Sequence, residues 1–142
     1  GQLEIGSGII PGCGGMQRLW RLVGRSRALE IIASGEDYGA ELAERYGWIN
    51  RAVPDNELDS LVERFAHRIA SFDAAALRAV KDILNEEVPP PTAASLASAH
   101  TRFTALLARP SVQERLQRSG KASPEMILDL ELNMGDRIGP RS

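Results

Sequence analysis

Hydrophobic positions recur most regularly in the second half of the chain. Leu58, Leu61, Val62, Phe65 and Ile69 follow the spacing of one helix face. Asp55 or Asn56, just ahead of them, can cap that helix. A second stripe of Leu77, Val80, Ile83 and Leu84 follows Asp73, again a suitable N-cap. Pro89, Pro90 and Pro91 then break the chain, and Thr92 starts a helix carrying Leu96, Ala99, Phe103, Leu106 and Leu107. Ser111 and Glu114 stand at capping-box spacing for a short helix ending near Gly120. Ser123 before Pro124 suits the start of a last helix reaching Gly135.

The first half is more broken. Met16 to Val23 reads as a short helix punctuated by Gly24, and Ser26 to Ala33 as its continuation, ending at Gly35. Ala40 to Tyr46 is a further helix, stopped by Gly47. Two segments read as extended: Trp48 to Val53, ended by Pro54, and Gln2 to Ile10, which looks like the exit of a strand. The fold class expected is therefore mainly α with one or two short strands. A strand needs neighbours for its backbone groups, and this sequence supplies almost none. The expectation is that a preceding N-terminal half, or another subunit, supplies a sheet.

Composition narrows the function classes. At 142 residues the chain is one domain or part of a larger one, and 43% hydrophobic residues exclude wholesale disorder. A net charge of −2 gives no basic surface for nucleic acid. No apolar run approaches the roughly 20 residues that cross a bilayer, so no membrane is expected as a partner. One cysteine, Cys13, cannot form an internal disulfide, which fits a reducing cytoplasm.

His67 and His100 lack metal-site spacing, so no metal is expected; His67 reads as a flank residue beside the apolar stripe and His100 as structural. Cys13 stands at a helix start, where a thiolate would be stabilised, but no histidine is near in sequence and a small buried thiol is the expectation. Arg18, Arg21, Arg25 and Arg27 suggest a phosphate cluster, yet helical spacing spreads them around the axis. A solvated face with one or two structural pairs is expected instead.

The opening stretch GQLEIGSGIIPGCGGMQRLW holds one carboxylate, Glu4, ahead of a glycine-rich turn that feeds a helix. The pattern runs Glu4, three residues, Gly8, two residues, Pro11, Gly14-Gly15, Gln17-Arg18-Leu19 and Gly24. It continues through Gly35, then Ala40, Ala43 and Gly47 as A-x-x-A-x-x-x-G, and Ile49-Asn50 to Val53-Pro54. In this register it resembles the central signature of the crotonase superfamily, the enoyl-CoA hydratases and isomerases. The specific motifs cover residues 1–54; the later helices resemble the family's C-terminal region by arrangement.

The resemblance implies the C-terminal part of a crotonase-like α/β fold, a spiral of β-β-α turns followed by helices that pack between subunits. Residues 1–54 would be the end of that core, and 55–142 a helical region for oligomerisation and pocket closure. The implied partners are an acyl-CoA substrate and further copies of the chain, in a trimer or hexamer. No cofactor is implied beyond the coenzyme A that the substrate carries. Glu4 falls where the family has a catalytic glutamate, which adds water to an enoyl-CoA with a second glutamate or, in isomerases, moves a proton along the acyl chain. Gly12 falls where a backbone N–H helps hold the catalytic water. Phe103 is placed either in core or subunit packing or as part of the acyl-CoA pocket, and Lys121 either in solvent or at a CoA phosphate.

The chemistry supports these assignments. Adding or removing a proton beside a thioester builds an enolate-like oxyanion that needs oriented N–H donors and a carboxylate within reach of the proton. A glycine turn lets backbone approach closely, and the helix after it presents a positive end. Departures from the pattern include Leu3 where hydratases often have proline, Gly6-Ser7 where the stretch is usually apolar, and Ser119 where some relatives have phenylalanine. The family's oxyanion-hole amides, its second glutamate and most of its CoA surface precede the matched glutamate. The chain therefore reads as an N-terminally truncated form, expected to be inert alone. Two alternatives stay open: a non-catalytic helical oligomerisation or binding module, and another crotonase reaction such as acyl-CoA hydrolysis.

Overall fold

The computed structural model describes residues 1–119 and 133–138. Its opening segment is not a strand exit: Leu3–Ser7 closes into a 3₁₀ turn. Gly8 ends the turn at φ 84°, a left-handed value that favours glycine. From there the Gly8 amide donates to the Ile5 carbonyl at 2.9 Å and the Ile9 amide to the Glu4 carbonyl at 3.2 Å. With no strand beside it among the described residues, this backbone meets part of its hydrogen-bonding needs within the turn.

Helix α1, Gly15–Ser34, carries a break at Gly24, whose φ 79° and ψ 163° separate two helical halves, matching the punctuation expected there. Leu19, Val23, Ala28 and Ile31 of α1 form the buried cluster, with Ile32, Tyr38, Tyr46 and Trp48 packed against it. Helix α2, Ala40–Tyr46, ends at a left-handed Gly47 as its sequence predicts. The second expected strand is also absent. The Trp48 and Ile49 amides both turn back to the Ala43 carbonyl, at 2.9 and 3.4 Å, and the Ala52 amide to Glu44 Oε2 at 3.1 Å. Those bonds serve the end of α2, so the segment has no ladder to join.

Helix α3 is Asp55–Ala70 and α4 is Ala74–Glu87. Asp73 caps α4 as expected, accepting from the amides of Ala75 and Ala76 at 3.0 and 2.9 Å. The start of α3 differs: Pro54 is its N-cap without a side-chain bond, and Asp55 lies inside the first turn, where a carboxylate still favours the positive helix end. Helix α5, Ala93–Leu107, is capped by the Thr92 hydroxyl, which accepts from the Ser95 amide at 3.1 Å.

Helix α6, Pro110–Ser119, starts one residue before the predicted cap, so Ser111 is helical. The Val112 and Gln113 amides reach the Arg109 carbonyl at 3.0 and 3.1 Å, and proline suits a first helical position because it has no amide to leave unsatisfied. Helix α7 is Met134–Ile138; Gly135 therefore lies within a helix instead of ending one. The expected helix end near Gly120 and the start at Ser123-Pro124 lie outside the described residues.

The mainly α expectation holds, and among the described residues no segment is a strand. The 3₁₀ turn is the meeting point: α1, α6 and α7 all pack on it. Helices α3 and α4 contain no buried residue.

Candidate active site

The glycine-rich turn leads straight into α1. Gly14, at φ 81°, caps the helix, and the Gly15 amide donates to the Gly12 carbonyl at 3.0 Å. Between them Cys13 takes φ 52°, rare for a residue with a side chain. The Arg18 guanidinium folds back from the first turn of α1 and donates to the Cys13 carbonyl at 2.8 Å, bracing this conformation. Cys13 is exposed, which corrects the expected buried thiol: it occupies the bend of the turn, outside the buried cluster.

Helix α5 forms a wall over the turn. A Cβ built on Gly12 would lie 3.9 Å from Phe103 Cε2, and one on Gly14 would lie 3.0 Å from Leu96 Cδ2. Gln17 ties the two elements together, its side-chain amide donating to the Ser95 carbonyl at 3.2 Å. The His100 and Phe103 rings stack with centroids 6.5 Å apart and planes at 21°. Two residues singled out by sequence, Gly12 and Phe103, are thus neighbours, although 91 positions separate them (103 − 12). His100 supports the aromatic face of α5 and stands in no metal cluster; none occurs among the described residues.

Glu4 lies on the 3₁₀ turn. Its Oε2 is shielded from solvent and accepts no hydrogen bond. Gln2 Oε1, Gln17 Oε1 and the Tyr38 hydroxyl are likewise shielded and unpartnered; of the four, only Glu4 is a carboxylate that can exchange a proton near neutral pH. The segment lies against the start of α1: Gln2 Oε1 stands 2.6 Å from where a Cβ on Gly15 would project, so a larger residue there would push the Gln2 side chain aside. Lys121, the other residue considered for CoA contact, lies outside the described residues.

The arginines of α1 form no phosphate cluster. Arg18 serves the turn, Arg21 donates to the Gln17 carbonyl, and the Arg27 guanidinium lies 4.7 Å from the centre of the Tyr46 ring. The expected solvated face with one or two structural pairs did not say which arginine would be structural, and Arg18 is one that is. The signal was there, since an arginine four residues after a turn glycine can reach the carbonyl just before it. Among the described residues no helix is long and apolar enough to cross a membrane.

The family model described as Enoyl-CoA hydratase/isomerase matches residues 1–125. The short-chain-enoyl-CoA hydratase of Clostridioides difficile is 43% identical over 84 residues, which are 59% of this chain and 54% of that protein. A Streptomyces avermitilis crystal structure, provisionally described as an enoyl-CoA hydratase, superposes with a TM-score of 0.81 at 38% identity, covering 98% of this chain and 50% of its own. The carnitinyl-CoA hydratase of Mycobacterium avium superposes at 0.72 with 29% identity, covering 87% of this chain and 49% of its own. The chain thus spans about half the length of these relatives. The signature around Glu4 and the glycine turn, the family match and the shared fold agree: the chain belongs to the enoyl-CoA hydratase/isomerase family, within the crotonase superfamily.

Proposed function

We propose that the full-length protein transforms an enoyl-CoA, adding water across its double bond or shifting that bond, with Glu4 exchanging a proton at carbon near the thioester. The carrying observation is the solvent-shielded Glu4 Oε2 with no hydrogen bond. A carboxylate oxygen without a competing donor is available to take or give a proton, and positioned general acid–base groups contribute about 10² to 10⁴ in rate. In this reading the Gly12 amide holds the water that adds, the ring of Phe103 closes the adjacent wall, and Lys121 meets a CoA phosphate. The enolate-like oxyanion is held by amides outside these 142 residues.

The substrate brings its own coenzyme A, and the reaction uses no further cofactor and no metal. Because the chain covers about half of its relatives, we propose that the 142 residues alone do not turn over. Their division into an active-site segment, 1–54, and a helical segment, 55–142, belongs to the same proposal. It also places the protein in the cytoplasm, consistent with one exposed, unpaired cysteine.

Replacing Glu4 by Gln in the full-length protein tests the reading. Crotonyl-CoA hydration should fall by about 10² or more, with KM within a few-fold. Turnover within twofold of the unaltered protein would overturn it.

A second reading rests on the exposed apolar faces of α3 and α4, which include Leu58, Val62, Phe65, Val80, Ile83 and Leu84. We propose that these faces are covered by further copies in a trimer or a dimer of trimers. If Glu4 proves dispensable, a purely oligomerising or binding role remains as the function of the chain.

A further inference from the structure

The 3₁₀ turn that carries Glu4 is held by a helix more than a hundred residues away. Val112 of α6 is 2% exposed. Its Cγ2 lies 3.1 Å from where a Cβ on Gly8 would stand, so a side chain at Gly8 would crowd α6 by a few tenths of an ångström. Two residues before Gly8, the Gly6 carbonyl accepts from Arg115 Nη1 at 3.1 Å, a contact spanning 109 positions. Arg115 is thus bonded to the backbone of the five-residue turn on which Glu4 sits.

We propose that Arg115 is a positioning residue for Glu4. Its guanidinium tethers the turn to α6 and fixes where the carboxylate meets substrate. The proposal rests on the reading of Glu4 as the proton-moving carboxylate. Side chains on α6 lie far from Glu4 in sequence, so a carboxylate aimed this way depends on the C-terminal region being docked. Arg115 makes no step of the chemistry itself. A shift of about 1 Å in a reacting group is enough to reduce a rate severely. One exposed hydrogen bond restrains the turn only in part, so the expected losses are moderate.

The test is steady-state hydration of crotonyl-CoA by the full-length protein with Arg115→Met, Arg115→Lys, Glu4→Gln and the double variant Glu4→Gln/Arg115→Met. Arg115→Met should lower kcat about threefold to tenfold, with KM within about twofold. Arg115→Lys, which keeps a charged donor, should recover most of that loss. In the Glu4→Gln background, Arg115→Met should change the residual rate by less than about twofold, because a tether that acts through the carboxylate has nothing left to aim. Unchanged kcat in Arg115→Met, a rise in KM alone, or an equal loss in both backgrounds would overturn the tether. A Glu4→Gln protein that keeps its turnover removes the reading of Glu4 itself, whereas an impaired Glu4→Gln beside an unaffected Arg115→Met removes only the role of Arg115.

Discussion

Helices α1 and α3 are both long and both carry apolar residues at helical spacing, yet only α1 has an interior. Ile31 of α1 is fully buried, and Tyr38, Tyr46 and Trp48 close around its cluster. Phe65 of α3 is 60% exposed, and its neighbours Leu58 and Val62 are about half exposed. Amphipathic periodicity therefore establishes that a face wants covering and says nothing about what covers it. In α1 the cover is local, reached through the turn at Gly35 and the short α2. In α3 and α4 the described residues leave the apolar faces exposed, and the assembly proposed above would cover them.

The sharpest way to break this contrast is a pair of truncations followed by denaturant unfolding at several protein concentrations. Ile31→Ala should cost about 2–5 kcal/mol at every concentration, because its cavity opens inside one chain. Phe65→Ala should cost a comparable amount only where the protein is assembled, and light scattering should report a smaller particle. A concentration-independent loss at Phe65 would place its cover within the same chain.

Smaller effects follow at single backbone positions. Gly8→Ala places a side chain at φ 84° and against Val112, and should destabilise by roughly 1–2 kcal/mol with an accompanying fall in activity. Asp73→Ala removes the cap of α4 and should cost about 1 kcal/mol by the same unfolding assay. The smallest effect concerns Tyr46, whose hydroxyl donates to Glu30 Oε1 at 2.8 Å. That hydrogen bond, with burial and the Glu30 charge beside it, pushes the phenol above its ordinary value. A raised pKa in the folded protein favours the protonated phenol. The associated stability is present below the phenol's unfolded pKa and fades as pH rises through the folded one. Ultraviolet titration of Glu30→Gln should find one tyrosine ionising at lower pH than in the unaltered protein.

Much of the helical order was legible because its signals are local. Asp73 and Thr92 cap where a short acceptor side chain precedes an apolar stripe, and Gly24 and Gly47 interrupt where only glycine takes the required angles comfortably. The two expected strands do not form, for a matching reason. Extended structure is a property of pairs, and the amides of Trp48, Ile49 and Ala52 found acceptors at the end of α2 instead. Within the site, the motif marked Glu4 and Gly12, and α5 was placed by its own cap. That Phe103 would meet Gly12, or Arg115 the Gly6 carbonyl, depended on tertiary docking that no window of sequence contains. Arg115, a surface arginine on a short helix, looks like solvated charge until its acceptor is known.

The central claim is that Glu4 moves a proton at carbon beside a thioester. Its most direct test is exchange of the α-protons of butyryl-CoA in deuterium oxide, followed by nuclear magnetic resonance, with the full-length protein and its Glu4→Gln variant. Deuterium should enter at the α-carbon with the unaltered protein and at least about a hundredfold more slowly with the variant. Exchange at undiminished rate in Glu4→Gln would contradict the account.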